Sequence, residues 1–212
     1  MNIVLSGPPG SGKGTQSNLL CEELDLIKIS VGDILRNHIK KNSSEDHKIN
    51  SGNLVGNKIV FELVKNFIDK NPSRNFLFDG FPRTLEQDKF FDIYNVKIKY
   101  FIQLYLDEKS ILDRISYGRL IHEKSGRVYH EKYNPPKVKN IDDITQEKLV
   151  IRKDDNRNTI MNRIQLYKKE TIKLISFYKL NKKSIKIIEV NSANSIQFVK
   201  SFILDQIDIL NK

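Results

Sequence analysis

The chain of 212 residues has a single cysteine, Cys21, so no internal disulfide can form, and the thiol reads as a small core residue on a helix. No apolar run approaches the roughly 20 residues that cross a bilayer. The opening residues pass directly into a strand-like segment, without the basic, apolar and cleavable succession of a leader. These absences predict a cytoplasmic protein with no membrane contact. No internal repeat or low-complexity tract interrupts the chain, whose length supports one sizeable core with insertions and not two large independent ones. Acidic residues are the minority: 36 Lys and Arg against 26 Asp and Glu give a net charge of +10. A basic surface could track a nucleic acid backbone. The lysines, however, are spread through nearly every helical stretch of a chain rich in Lys, Ile and Asn. The charge therefore bears on solubility and non-specific binding, and no nucleic-acid partner is expected.

What is present is alternation. The runs "NIVLS", "IKIS", "NFLFD", "KYFIQLYL" and "SIKIIEV" read as strands, with helical spacing between them, which predicts an α/β fold on a parallel sheet. The first helix is predicted from Lys13 to about Leu24, with Cys21 and Leu24 facing the core. Two stretches are longer than simple crossovers need. Residues 30–55 hold a short helix, a polar stretch and "SGNLVGN"; residues 118–155 hold Gly, Pro and charge with short β-like pieces.

Between the first strand and the first helix lies "GPPGSGKGTQ", which fits a phosphate-binding loop at Gly7, Gly12 and Lys13. Such a turn aims successive backbone N–H groups at one spot, where the helix dipole adds positive potential. Gly14 stands where the general pattern has the magnesium-binding hydroxyl, and Thr15 follows one place late. Charge neutralisation must then come from other side chains, and the site should be rich in arginine.

"NFLFDGFPRTLEQ" ends a strand on Asp79, beside the ligand crevice at the carboxyl ends of the strands. Asp79 could hold magnesium directly or through water, or cap nearby N–H groups. Pro82 bends the chain and presents Arg83 to the same crevice. Thr84 and Gln87 match a helix-start capping box, while the Gln87 amide could instead pair with an adenine edge; the sequence leaves both open. "ISVGDILRNHI" repeats the arrangement with Asp33 as a cap and Arg36 one turn on. Arg36, Arg83, Arg119, Arg152 and Arg163 all fall in segments that border the crevice or the insertions.

Taken together, "GPPGSGKGTQ", "SVGDILR", "FDGFPRT", "GRLIH", "SGRVYHEKYNPPK" and "RKDDNRNTIMNRI" closely resemble the adenylate kinase family of the bacterial, long-lid type. The resemblance implies a P-loop nucleoside-monophosphate kinase fold, a five-stranded parallel sheet flanked by helices. The core would comprise 1–29, 56–117 and 156–212, with an NMP-binding insertion at 30–55 and a lid at 118–155. It implies transfer of a phosphoryl group from MgATP to AMP, giving two ADP. ATP would lie on Gly10, Ser11, Gly12, Lys13, Gly14 and Thr15, with Arg114, Arg119, Val128, Tyr129 and Asn194 completing its site. AMP would be held by Val31, Arg36, Asn53, Leu54, Val55, Gly80, Phe81, Pro82, Arg83 and Gln87, with Arg152 and Arg163. Lys13, Arg83, Arg119, Arg152 and Arg163 would act on the transferred group, with magnesium near Asp79.

Three departures from the family pattern stand out. Val31 replaces a usual Thr or Ser, removing a hydroxyl from the AMP side. The stretch from Arg114 to Arg119 is one residue longer than usual. The places where some lids bind zinc are occupied by His122, Ser125, Asp142 and Thr145, which suits a hydrogen-bonded cluster and not a structural zinc. The AMP phosphate is already an ionised nucleophile, so no general base is required, and His38, His47, His122 and His130 read as polar or structural. Asp154 and Asp155, beside Arg152 and Lys153, are either counter-ions of the lid arginines or a solvated charge run. The expected partners are ATP, AMP and ADP, bound by a monomer. The alternatives are a GTP:AMP phosphotransferase, another nucleoside-monophosphate kinase, or, from a different class, a nucleotide-sensing switch.

Overall fold

The computed structural model describes residues 1–39, 46–116, 118–151 and 155–207. Five parallel strands form the central sheet: β1 (Asn2–Ser6), β2 (Ile27–Ser30), β3 (Phe76–Asp79), β4 (Ile98–Tyr105) and the last strand, β7 (Lys186–Asn191), in the order β2-β3-β1-β4-β7. Each falls within about two residues of its predicted run, because buried parallel strands are continuous apolar segments that stand out from their surroundings.

Successive side chains alternate between the two faces of the sheet. Ile3, Leu5, Leu77, Tyr100, Ile102 and Ile188 point to one face, where Leu20 of α1 (Lys13–Leu24) and Val199 and Ile203 of α9 (Ile196–Gln206) cover them. Cys21 and Leu24 lie partly buried at the edge of this cluster, as the thiol's core reading implies. Val4, Ile29, Phe78 and Phe101 point to the other face. They meet α2 (Val31–Ile39), α4 (Asn57–Asp69), α5 (Leu85–Ile93) and α8 (Ile172–Asn181) through residues such as Leu35, Val64, Phe90 and Leu174. Rings pack edge to face here, Phe78 on Phe91 at 5.0 Å and Phe81 on Phe90 at 5.4 Å, an arrangement aromatic quadrupoles favour.

Strand register puts the functional ends in one row. Asp79 lies opposite both Ser30 and Leu5, Ser6 is opposite Gln103, and Tyr105 is opposite Asn191. β1 is flanked by β3 on one side and β4 on the other, so the loop after it opens at the point where strand order reverses, the natural crevice of an open α/β sheet.

Two further pieces stand over that crevice. Arg119–Ile121 and Val128–His130 form an antiparallel pair, β5 and β6, which follows α6 (Glu108–Ser116) and carries the irregular chain up to residue 151. The other piece, with α3 (Asp46–Asn50), leans on α7 (Arg157–Leu166): Thr159 Oγ1 donates to the Asn50 carbonyl at 2.6 Å, and Asn162 Nδ2 to that of Ser51 at 3.1 Å. Gly52 takes φ 80° at this contact, where a Cβ would stand 2.7 Å from the Thr159 carbonyl oxygen.

Both the left-handed backbone and the close approach exclude a side chain at Gly52. Gly52→Ala is expected to cost about 2 kcal/mol, which for a chain of this size lowers the melting midpoint by about 4–8 °C. An unchanged midpoint in thermal denaturation would show that this docking contributes nothing to the folded state.

Candidate active site

Helices α5, α6, α7 and α9 begin on side-chain caps: Thr84, Asp107, Asn156 and Ser195 each accept a backbone N–H of the first turn. Helix α1 does not. Its N-cap is Gly12, at φ 82°, with no side-chain bond and no acidic residue in the first turn. The opening amides of α1 are thus left without an internal partner at the mouth of the crevice, the arrangement that favours an anion. Beside them the Ser11 hydroxyl is buried with no hydrogen-bond partner.

Lys13, the first residue of α1, folds back so that Nζ donates to the carbonyls of Gly7 and Pro8, each at 2.8 Å. Burial pulls its pKa down to about 7; the Asp79 carboxylate opposes this, while the charges of Arg83, Arg119 and Arg163 add to it. The Arg83 guanidinium is brought down to about 10 by burial and then by Arg163, with Asp79 again opposing and Arg36 adding. These cations therefore converge on one place, with Asp79 among them.

That place is a cavity of about 970 Å³. Its floor is the loop, with Gly10, Ser11, Gly12, Lys13, Gly14 and Thr15 all exposed to it. On one side stand Arg36, Asn53, Leu54 and Val55, with Asp79, Gly80, Pro82, Arg83 and Gln87. On the other are Arg114, Arg119, Val128, Tyr129, Arg163 and Asn194. The longer spacing between Arg114 and Arg119 does not separate them. Arg114 donates to the Ser192 carbonyl at 2.7 Å and lies over the Tyr133 ring at 5.1 Å.

Asp79 is steadied by Ser17, whose Oγ donates to Oδ2 at 3.1 Å. Arg36 pairs with Asp33. Arg119 Nε is 3.4 Å and Arg163 Nη1 4.0 Å from the buried Asp155 carboxylate, whose oxygens have no hydrogen-bond donor. Of the two readings of the acidic pair, Asp155 is thus the counter-ion of two arginines. Arg152 and Asp154 lie outside the described residues.

The 118–151 unit is closed down on the crevice. A Cβ on Gly14 would stand 3.4 Å from Val128 Cγ2, and one on Gly126 would stand 3.3 Å from Asp33 Oδ2. Gly14, where the general loop carries a hydroxyl, therefore lies directly beneath Val128.

Two expected residues do not reach the cavity. Val31 and Phe81 are buried in the core cluster with Val55, Leu35 and Phe90. A β-branched side chain at the β2–α2 junction gains about 1.5–3 kcal/mol by burial, and Val31 turns inward while Ser30 and Gly32 face the space. The turn that presents Arg83 contains a cis peptide between Phe81 and Pro82.

Gln87 does cap: Thr84 Oγ1 accepts the Gln87 N–H at 3.1 Å, and Gln87 Oε1 accepts the Arg83 N–H at 2.9 Å, one residue earlier than a capping box requires. It nonetheless lines the cavity, so the amide keeps its N–H donors for a ligand. Of the four histidines, His130 takes backbone N–H groups of Lys132 and Tyr133 on Nδ1, which fixes the proton on Nε2, donated to the Arg114 carbonyl at 3.0 Å. Tyr167, Glu170 and Thr171 also line the cavity, from a π turn (Tyr167–Thr171) between α7 and α8. Sequence periodicity carries no signal for such a turn, because one wide turn leaves the apolar spacing on either side intact.

His122, Ser125, Asp142 and Thr145 meet in one hydrogen-bonded cluster. His122 Nδ1 contacts Ser125 Oγ at 2.7 Å and Nε2 contacts Glu147 at 2.6 Å. The fully buried Asp142 accepts from Arg127 at 2.8 and 2.6 Å, from Tyr129 OH at 3.0 Å, and from the Thr145 hydroxyl and N–H at 2.9 and 2.8 Å. Among the described residues no group of three or more His, Cys, Asp or Glu could hold a metal ion.

An anion-ready loop, a ring of arginines and a five-stranded sheet of this order define a P-loop nucleoside-monophosphate kinase. A family profile described as Adenylate kinase matches residues 5–183. An adenylate kinase of Buchnera aphidicola subsp. Cinara cedri (strain Cc) is 46% identical over 98% of this chain and 97% of its own. That of Francisella tularensis subsp. novicida (strain U112) is 39% identical, and that of subsp. holarctica (strain OSU18) 40%, each over 98% of this chain and 99% of its own. The chain belongs to the adenylate kinase family, the ATP:AMP phosphotransferases.

The Arg127 guanidinium, then the Thr145 groups and Tyr129, hold the Asp142 carboxyl well below the usual carboxylate range, against the effect of burial. A depressed pKa contributes stability that is present above the ordinary carboxylate pKa and is lost as pH falls through the folded value. Asp142→Asn removes the buried charge and is expected to cost the 118–151 unit about 3 kcal/mol, an approximately 10²-fold faster amide exchange in this unit, with core strands unchanged. In the wild type, protection of this unit should hold at pH 5 and decline on further acidification. Exchange followed by mass spectrometry decides it; equal protection in Asp142→Asn would contradict a stabilising role for the carboxylate.

Proposed function

We propose that this enzyme transfers the terminal phosphoryl group of MgATP to AMP, reversibly, through the convergent cations around its first loop. The carrying observation is that Lys13, Arg83, Arg119 and Arg163 line one cavity with Asp79, beside the uncapped start of α1. The donor phosphates lie on the amides of Gly10 to Thr15, where the orphaned Ser11 hydroxyl gains a partner. Lys13 exchanges the Gly7 and Pro8 carbonyls for phosphate oxygens, whose negative charge restores the ammonium's affinity for its proton. Arg114 with Tyr133, and the backbone around Asn194, flank the ATP base.

On the acceptor side Arg36 and Arg83 hold the AMP phosphate, with Asn53, Leu54, Val55, Gly80 and Pro82 forming the wall and Gln87 offering its amide donors to the base. Val31 contributes packing only. The phosphate nucleophile is already ionised, so the protein supplies alignment and charge and no base. Arg119 and Arg163, held by Asp155 when no nucleotide is bound, turn to the moving phosphoryl group; Arg152 joins them by family resemblance. Residues 118–155 act as the lid and 30–55 as the AMP-binding insertion on the remaining core, and closure excludes water as a competing acceptor.

The donor set fits magnesium: Asp79, oriented by Ser17, with Thr15 on the same cavity, would hold it directly or through water. Bound there, the ion neutralises phosphate charge. We further propose that the enzyme acts as a monomer. Among the described residues no helix is long and apolar enough to cross a membrane; we assign the enzyme to the cytoplasm.

A coupled assay of ADP formation with ATP or GTP as donor and AMP, UMP, CMP or GMP as acceptor tests the reading. ATP with AMP is expected to be the fastest pair, with little hydrolysis of ATP alone. Lys13→Ala and Arg83→Ala should each lower turnover by about 10³-fold or more. Near-normal turnover in either variant would overturn the assignment, and a preference for GTP would favour the GTP:AMP phosphotransferase alternative.

A further inference from the structure

The Arg83 backbone is gripped on both sides. Its N–H donates to Gln87 Oε1 at 2.9 Å, and its carbonyl accepts from Thr171 Oγ1 at 3.0 Å. The guanidinium bends back so that Nε donates to the Gly80 carbonyl at 2.9 Å. Arg83 stands just before the Thr84 N-cap, so α5 supplies no partner for its carbonyl. The bond from Thr171 spans 88 residues and comes from the π turn.

The π turn matters to that reach. In a regular helix a threonine hydroxyl donates to the carbonyl one turn back, which for Thr171 is that of Tyr167. Here the Tyr167 carbonyl accepts the Ile172 N–H, closing the wide turn. The buried Thr171 hydroxyl points out of its helix to Arg83 instead. Eight residues earlier on the same helical stretch stands Arg163, whose charge is the strongest that Arg83 feels. One hydrogen bond thus ties the loop that carries Arg83 to the helix that carries Arg163.

We propose that Thr171 is a positioning residue for phosphoryl transfer: through the Arg83 carbonyl it holds Arg83 and Arg163 in register across the acceptor side of the cavity. Thr171 stands at the cavity wall with its one hydroxyl proton donated to the Arg83 carbonyl, so it acts through Arg83. The inference rests on Arg83 acting as proposed above. A displacement of about 1 Å in a positioned group can lower turnover by as much as 10²-fold. The loss appears in kcat, since substrates still bind to their remaining contacts.

Steady-state kinetics of Thr171→Val and Thr171→Ser separate this role from packing. Valine keeps the shape and loses the hydroxyl; serine keeps the hydroxyl and loses a methyl. A positioning role requires Val to lower kcat by about 10- to 100-fold with Michaelis constants within about threefold, and Ser to stay within about threefold of wild type. A packing role gives the reverse order, and that result, or an unaffected Val variant, overturns the proposal. Thermal midpoints check folding, and Thr171→Ala replaces Val in the same comparison if Val does not fold. In an Arg83→Lys background the Thr171→Val change should add less than about twofold, because both act through one group. A full multiplicative effect there contradicts the proposal. If Arg83→Lys alone turns over at the wild-type rate, the reading of Arg83 fails, a result distinct from failure of Thr171 while Arg83 remains essential.

Discussion

Like charges crowded into a space of low polarity repel one another, and this repulsion is the constraint under which the whole cavity is built. Lys13, Arg83, Arg119 and Arg163 meet where the strands end, and burial lowers the proton affinity of Lys13 and Arg83 in particular. The protein meets the repulsion with a few placed acids: Asp79 among the central cations, Asp155 between Arg119 and Arg163, Asp33 against Arg36. The Lys13 ammonium is additionally held by two carbonyls of its own loop. Phosphates would substitute for these temporary partners with more charge.

The fold makes the crowding possible by spending its rigid elements on it. Sheet register aligns Leu5, Ser30 and Asp79, with Ser6 opposite Gln103, and the two apolar faces lock this end of the sheet with helices. Helices α5, α6, α7 and α9 cover first-turn amides with a side chain, whereas α1 keeps its own uncovered. The 118–151 unit needs no large core because Asp142 collects donors from Arg127 and Tyr129 at β6 and from Thr145, and that small cluster keeps Arg119, Val128 and Tyr129 over the loop.

The strands, the loop and the arginines could be read from the sequence because each is a local signal: an apolar run, a glycine spacing, a charged residue beside a turn. Asp79 followed from strand position alone. Val31 could not be placed this way, since a junction residue may face either side and only the packing of α2 into the cluster with Val55 and Phe90 decides it. Gln87 was legible as two competing roles, and the structure supplies the cap while leaving its N–H donors toward the cavity. The members added to the His122 cluster, Arg127, Tyr129 and Glu147, are separated by up to 25 residues from their partners, beyond any periodicity. The π turn and the bond from Thr171 to Arg83 left no trace in the pattern for the same reason.

If crowded positive charge is the governing constraint, ligands should stabilise the protein in proportion to the phosphate they bring. The direct measurement is the melting midpoint at saturating adenosine, AMP, ADP and ATP with magnesium, at low and at high salt. The account requires the midpoint to rise along that series, and the gain from each added phosphate to shrink as salt screens the cavity's field. A shift from adenosine as large as that from ATP, unaffected by salt, would contradict it.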